Sequence, residues 1–244
     1  MQDSHWFVAL GAVLAGAVAA VSGFGIGSLL TPLLLLWMPA REAVAVVSIP
    51  HAVATTVRWI RLRQDVHMPT FRQFGVASAL GGLAGAALQP RLASALLIIV
   101  LACLLVLAGL GELTGRRVPL PRTPFWRLIG GVLSGFFGGL VGNQGGIRSA
   151  ALLGFRLAPR QLVATATASA LLVDAARVPI YLVSARPAIV RSLGLILVAA
   201  LGVTIGTFLG VPVLSRLPEA AYRRLIGVLL LALAISLLVT SMRA

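Results

Sequence analysis

Ser22-Gly-Phe-Gly-Ile-Gly-Ser-Leu-Leu-Thr-Pro-Leu-Leu-Leu-Leu-Trp-Met-Pro-Ala-Arg41 opens on a glycine-rich break and continues as an apolar run too short to cross a bilayer. The same design returns 119 residues later as Val141-Gly-Asn-Gln-Gly-Gly-Ile-Arg-Ser-Ala-Ala-Leu-Leu-Gly-Phe-Arg-Leu-Ala-Pro-Arg160. Without a gap, Gly23 meets Gly142, Gly27 meets Gly146, Arg41 meets Arg160, Ala45 meets Ala164 and Arg58 meets Arg177. Further along, Gly75 meets Gly194, and after a two-residue slip Gly81 and Gly85 meet Gly202 and Gly206. A duplicated, glycine-interrupted hydrophobic segment is the sequence-level pointer to a transporter's binding site.

Composition sets the class around that motif. Of 244 residues, 59% are hydrophobic and 11% charged, too little polar surface for a soluble domain of this size. The first apolar run, from Trp6 to Val21, lacks the basic flank of a signal peptide. The expectation is an all-α polytopic membrane protein. The net charge of +14 comes from 20 arginines and no lysine against 6 acids. Such a balance reads here as basic membrane loops, with no nucleic-acid partner implied. Cys103 stands alone in an apolar run, so neither a disulfide framework nor a metal cluster is expected.

Ten apolar segments follow, at about 6–22, 27–39, 43–60, 70–88, 92–111, 125–142, 145–157, 161–183, 192–211 and 225–241. They predict a first repeat over 1–114, a linker over 115–124 and a second repeat over 125–244, together one membrane domain. Eight to ten of the segments are expected to be transmembrane. The two of about 13 residues reach only ~20 Å at ~1.5 Å per residue, so each is half of a broken helix or of a re-entrant hairpin. Placing the linker in the cytoplasm puts thirteen arginines inside and five outside, with Arg148 and Arg177 set aside within apolar segments. That bias places both termini outside and makes the two five-segment repeats inverted. A bacterial cytoplasmic (inner) membrane is the expected location.

The Gly-Phe-Gly-Ile-Gly-Ser-Leu-Leu-Thr-Pro-Leu-Leu run at 23–34, the helix from Arg41 to Thr56 and the second glycine-rich start near 142–146 resemble the TauE/SafE family of sulfite and organosulfonate exporters. The resemblance extends over nearly the whole chain. It implies export of small sulfur-containing anions without a nucleotide-hydrolysing subunit. The chain departs from the family pattern at Asn143-Gln144, at the missing counterpart of Pro32 and at Arg148, all where a ligand would bind.

The chemistry of the break explains why an anion suits it. A helix restarting at Gly27 or Gly146 has first-turn N–H groups without intrahelical partners, and its dipole is positive there. Glycine lets an anion approach that backbone, so Gly25, Gly27, Gly145 and Gly146 are candidate substrate contacts; close helix packing is the competing role. The glycines at 81, 85, 202 and 206 read as packing positions. Arg148 offers a fork suited to a tetrahedral oxyanion, against an ion pair or snorkelling as structural alternatives. Asn143 and Gln144 add amide donors or merely form the turn.

Asp174 and Arg177, at i and i+3, either satisfy each other or share in substrate work, Arg177 on the anion and Asp174 carrying a proton. His51, after Pro50, is a candidate anion ligand and a second proton-coupling candidate; packing is its other role. Thr55, Thr56, Thr165 and Thr167 can supply hydroxyls, while Arg58 reads as a basic-loop residue at the cytoplasmic surface. No catalytic constellation, cofactor motif, metal-ligand set or phosphate-binding loop is present, so an enzyme is not expected.

The expected function is secondary transport, chiefly export, of a sulfur-containing anion such as sulfite or an organosulfonate, with one half rocking against the other. An anion channel and proton-coupled uptake of a related organic anion stay open. The expected partners are the anion, the lipid bilayer and protons as a candidate co-substrate, with a homo-oligomer also open.

Overall fold

The computed structural model describes residues 2–22, 25–115, 123–214 and 218–243. Gly23, the linker residues 116–122 and Arg216 lie outside the described residues. The described residues are 89% helical, with no strand among them. The first half comprises α1 (Gln2–Ser22), α2 (Ile26–Leu34), α3 (Ala40–Leu62), α4 (Met68–Thr70), α5 (Val76–Leu88) and α6 (Ser94–Thr114), with a π-helical turn at Phe71–Gly75. The second comprises α7 (Pro124–Val141), α8 (Gly145–Leu153), α9 (Pro159–Ser184), α10 (Arg186–Arg191), α11 (Leu193–Leu214) and α12 (Glu219–Arg243). Six stretches are long and apolar enough to cross a membrane, and Trp6–Val21 is a shorter apolar helix. Leucines such as Leu96, Leu107, Leu197 and Leu229 are exposed on their outer faces, as helices bathed in lipid require. This is an all-α integral membrane protein.

Local sequence explains the boundaries. Pro124 and Pro159 occupy first-turn positions, where a missing N–H costs nothing. Gly25 caps α2 at φ 147° and ψ −38°, a conformation that a Cβ would forbid, and Gly142 ends α7 in the left-handed region at φ 74°. These two glycines turn the chain back on itself. The first turn puts Gly25 against Val18 and Ala19 of α1, and Gly11 faces Leu30 and Leu33 of α2. The second puts Gly138 against Gln144, and Arg127 near the other end of α7 donates to the carbonyl of Gly154. Each short segment is therefore the returning arm of a hairpin. At nine residues apiece, α2 and α8 reach only ~13 Å, shorter than the thirteen-residue runs read from the sequence.

The two halves of the chain interlace. α1 packs along α11, α5 along α7 and α6 along α12, each pair drawing one helix from either half. Small residues bring the backbones together. A Cβ added at Gly81 or Gly85 would strike the carbonyls of Val132 and Phe136 in α7, and one at Gly135 or Gly139 would strike those of Ser78 and Gly82 in α5. Gly206 likewise meets Val13, Gly210 meets Ala17, and Gly16 meets Val203. Such seams are how helices associate where lipid removes the hydrophobic driving force. Packing, the role expected of the glycines at 81, 85, 202 and 206, is what they perform.

Polar contacts sort to opposite ends of the bundle. At one end Arg160 pairs with Asp65 at 2.8 Å, and Arg127 reaches Gly154. At the other, Arg191 approaches Glu42 at 3.3 Å and Arg41 donates to the carbonyl of Leu92.

Candidate functional site

The two hairpin turns meet in the interior. Gly27, in the first turn of α2, lies so close to the carbonyl of Gly142 that no side chain fits between them. Ser28 donates to Oδ1 of Asn143 at 3.2 Å, tying the start of α2 to the turn before α8. The starts of two short helices thus converge, each presenting first-turn N–H groups and the positive end of its dipole.

Two small polar cavities, each of about 20 Å³, adjoin this junction and share Gly25, His51 and Arg148. Gly27, Ser28, Asn143, Gln144 and Gly145 line one. Thr55, Arg58 and Thr167 line the other. Of the positions expected from the sequence, Gly25, Gly27, His51, Asn143, Gln144, Gly145 and Arg148 therefore come together. Gly146 does not line these cavities: a Cβ there would find only Ala108 of α6, at 3.7 Å.

Arg148 is buried, and its Nη1 donates to the carbonyl of Ala166 in α9 at 3.1 Å. Among the described residues no carboxylate lies within ion-pair distance of it, so the ion-pair alternative finds no partner there. Asn143 and Gln144 are buried as well, yet Nδ2 of Asn143 and both side-chain polar atoms of Gln144 lack a hydrogen-bond partner. Buried amides left open in this way are costly unless a ligand or water completes them.

Behind the cavities a charge network fixes His51. Its Nδ1–H donates to Oδ2 of Asp174 at 2.7 Å, directing the other ring nitrogen away from the carboxylate. Arg177 grips Oδ1 of the same carboxylate through Nε at 2.9 Å and Nη2 at 2.8 Å, and also donates to the carbonyl of Gly138. Tyr181, one turn on, donates to the carbonyl of Gly139. Arg177 and Asp174 line neither cavity; together they hold His51 and the C-terminal turn of α7. The pair chosen at i and i+3 is in contact, with its charges satisfied mutually.

Sequence reading missed Ser28 and Tyr181 and misplaced Arg58. Arg58 is half-buried on the cavity wall, with Nη1 donating to the carbonyl of Ala19 at 2.6 Å, rather than at a basic surface. Its alignment with the buried Arg177 was the available signal. Among the threonines, Thr55 and Thr167 reach a cavity wall, whereas Thr56 bonds the carbonyl of Ala52 and Thr165 accepts from the backbone of His67.

The interior of this membrane protein thus holds three guanidinium groups, Arg58 and Arg148 on a cavity wall and Arg177 behind it, of which only Arg177 is paired with Asp174. The family model described as Sulfite exporter TauE/SafE matches residues 8–237. The chain belongs to that family. No curated protein and no solved structure matches it. TauE/SafE is a family of membrane transporters for sulfur compounds rather than a class of enzymes, and the positive interior suits a transporter of anions.

Proposed function

We propose that this TauE/SafE protein exports a small sulfur oxyanion, sulfite or an organosulfonate, from a seat between the two helix starts. The observation that carries the reading is the excess of buried positive charge beside the unpartnered amides of Asn143 and Gln144. An unpaired arginine at membrane depth costs ~2.5–3.5 kcal/mol on insertion scales, and a bound oxyanion offsets that cost. Arg148 forks onto two oxygens, Asn143 and Gln144 donate from one side, and the first N–H groups of α2 and α8 from the other. Arg177, through Asp174, is a positioning residue for His51.

Inverted repeats supply the mechanism in this reading, one over 1–114 and the other over 125–244. The exchange of partners, α1 with α11 and α7 with α5, supports that symmetry. Interlacing of this kind argues against rocking one sequence half against the other. The moving parts are instead the hairpins with α3 and α9, sliding within a frame of glycine-packed pairs. Both termini outside a bacterial cytoplasmic membrane complete the picture, in which an inside-negative potential drives each exported charge by about 2.3 kcal/mol per 100 mV.

One observation favours a proton-linked variant: His51 lines both cavities while Asp174 holds its Nδ1. A protonated ring would then donate its second N–H to the anion. Proteoliposome counterflow with sulfite, an alkylsulfonate, sulfate and a carboxylate tests the whole proposal. Selective exchange of sulfur oxyanions that is lost in Arg148→Ala is expected; exchange of none of the four anions by folded protein overturns it. A pH gradient that drives sulfite accumulation would establish the proton-linked variant.

A further inference from the structure

A larger cavity, of about 280 Å³, opens between α8, α9 and α12, beside the end of α1. Leu152, Leu153, Leu162 and Val163 form its apolar wall, and Glu219, Tyr222 and Arg223 lie along α12. Thr167 lines both this cavity and the seat, and Ala166, which accepts from Arg148, lines it too. One layer, made by Arg148, Ala166 and Thr167, therefore separates the two spaces.

The positions one repeat away tell the opposite story. The 119-residue spacing pairs Val21 with Leu140, Leu153 with Leu34, Leu162 with Ala43, Val163 with Val44 and Ala166 with Val47. Val21 is 38% exposed and Leu140 3%; Val163 is 37% exposed and Val44 2%. Leu34, Ala43 and Val47 are likewise buried, in one apolar cluster with Leu97, Leu101 and Leu105 of α6. Where α9 stands apart from α12, α3 is sealed against α6. A symmetric chain with one flank open and the other shut is in one of two exchangeable states.

We infer that the cavity between α8, α9 and α12 is the access vestibule of the anion seat, and that the sealed α2–α3–α6 flank is the opposite gate. This rests on the two-repeat reading above. The vestibule opens at the end that carries Arg156 and Arg160, so the anion reaches Arg148 from the arginine-rich side, passing the bond to Ala166. Swapping the two arrangements, with α9 closing on α12 as α3 leaves α6, delivers it to the other side.

Thiol labelling of full-length protein in oriented vesicles, with Cys103→Ser as the background, tests this. The probe is a membrane-impermeant trimethylammonium thiosulfonate applied to each face in turn. Ala158→Cys, in the exposed turn between α8 and α9, marks the arginine-rich face. Val163→Cys should react from the Ala158→Cys face at least about tenfold faster than Val44→Cys reacts from either face. Excess sulfite should slow it. Leu153→Cys and Leu34→Cys form a second pair should one variant of the first fail to fold. Equal rates for both members of a pair overturn the inference, as does a Val163→Cys reachable only by a lipid-soluble maleimide, which would mean the cavity is filled from the bilayer. One-sided labelling of protein that exchanges no anion sinks the substrate reading and leaves the vestibule standing. Sulfite exchange without one-sided labelling does the reverse.

Discussion

The two hairpin turns share a backbone plan and divide the chemistry unequally. Around the first, Gly25, Gly27 and Ser28 offer backbone and one hydroxyl, with no charged side chain on the turn or on α2. Around the second, Asn143, Gln144 and Arg148 offer two amides and a guanidinium. One helix later the copies differ in another way, each keeping one titratable group: at the 119-residue spacing Thr55 on α3 stands where α9 has Asp174, and Ala170 on α9 stands where α3 has His51. A duplicated frame needs one copy to allow close approach and is free to load recognition onto the other. Specificity therefore concentrates in the second turn, and steric tolerance is tightest at the first.

The largest effect that would test this contrast is expected at the charge network. Asp174→Asn leaves the Arg177 guanidinium buried without a counter-charge, which costs about 3–5 kcal/mol when one partner of a buried pair is lost. Chemical unfolding in detergent should show a drop of that order, whereas Thr55→Val at the matching position should lose about 1 kcal/mol. Comparable losses at both positions would erase the asymmetry.

Next in size comes Arg148→Ala. Loss of a charge-assisted contact worth about 1.5–3 kcal/mol should lower sulfite counterflow roughly 10- to 150-fold. Arg148→Lys should recover only part, since an ammonium keeps the charge without the fork. Ser28→Ala across the junction should change flux by no more than a few-fold, the worth of one neutral hydrogen bond.

The aligned glycines Gly27 and Gly146 give a finer test. Gly27→Ala drives a methyl group into the carbonyl of Gly142, backbone against backbone, and should destabilise by about 1–3 kcal/mol. Gly146→Ala meets only a methyl group at ordinary contact distance and should stay within about 0.5 kcal/mol of the parent in the same melt. If the two behaved alike, the unequal crowding of the turns would be refuted. Asn143→Ala should cost only a few-fold in sulfite flux, because Gln144 remains beside it.

Much of this was legible in the chain. The ten apolar runs each correspond to a helix, because lipid demands long apolar stretches and glycine, proline and arginine punctuate them. The six-residue α10 was not seen, being too short to stand out from the Arg186–Arg191 loop it occupies. Register was harder. The sequence matches Gly81 to Gly202, yet Gly81 packs on Val132 while Gly206 packs on Val13, the residue 119 positions before Val132. The matching register is therefore one turn further on, at a spacing of 125, since glycines recur every four residues along these seams and slide easily against one another in an alignment. At the site, residue type identified Arg148, Asn143 and Gln144, because polar groups in an apolar run must be explained. The direction a glycine faces carries no such signal, so Gly146 was grouped with the others although it turns toward α6. The distance of Arg58 along α3 suggests an exit from the membrane, whereas the close approach of α1 keeps it inside.

The interlaced seams also set a timetable for biogenesis. α1 is made first, but its partner α11 begins at Leu193, about 170 residues after Ser22. At roughly 5–20 residues per second, α1 spends on the order of ten to thirty seconds in the membrane with its small-residue face unmatched. During that interval a newly inserted helix depends on lipid or on the insertion machinery for company, and the earliest-made segment is among the last to be locked in place.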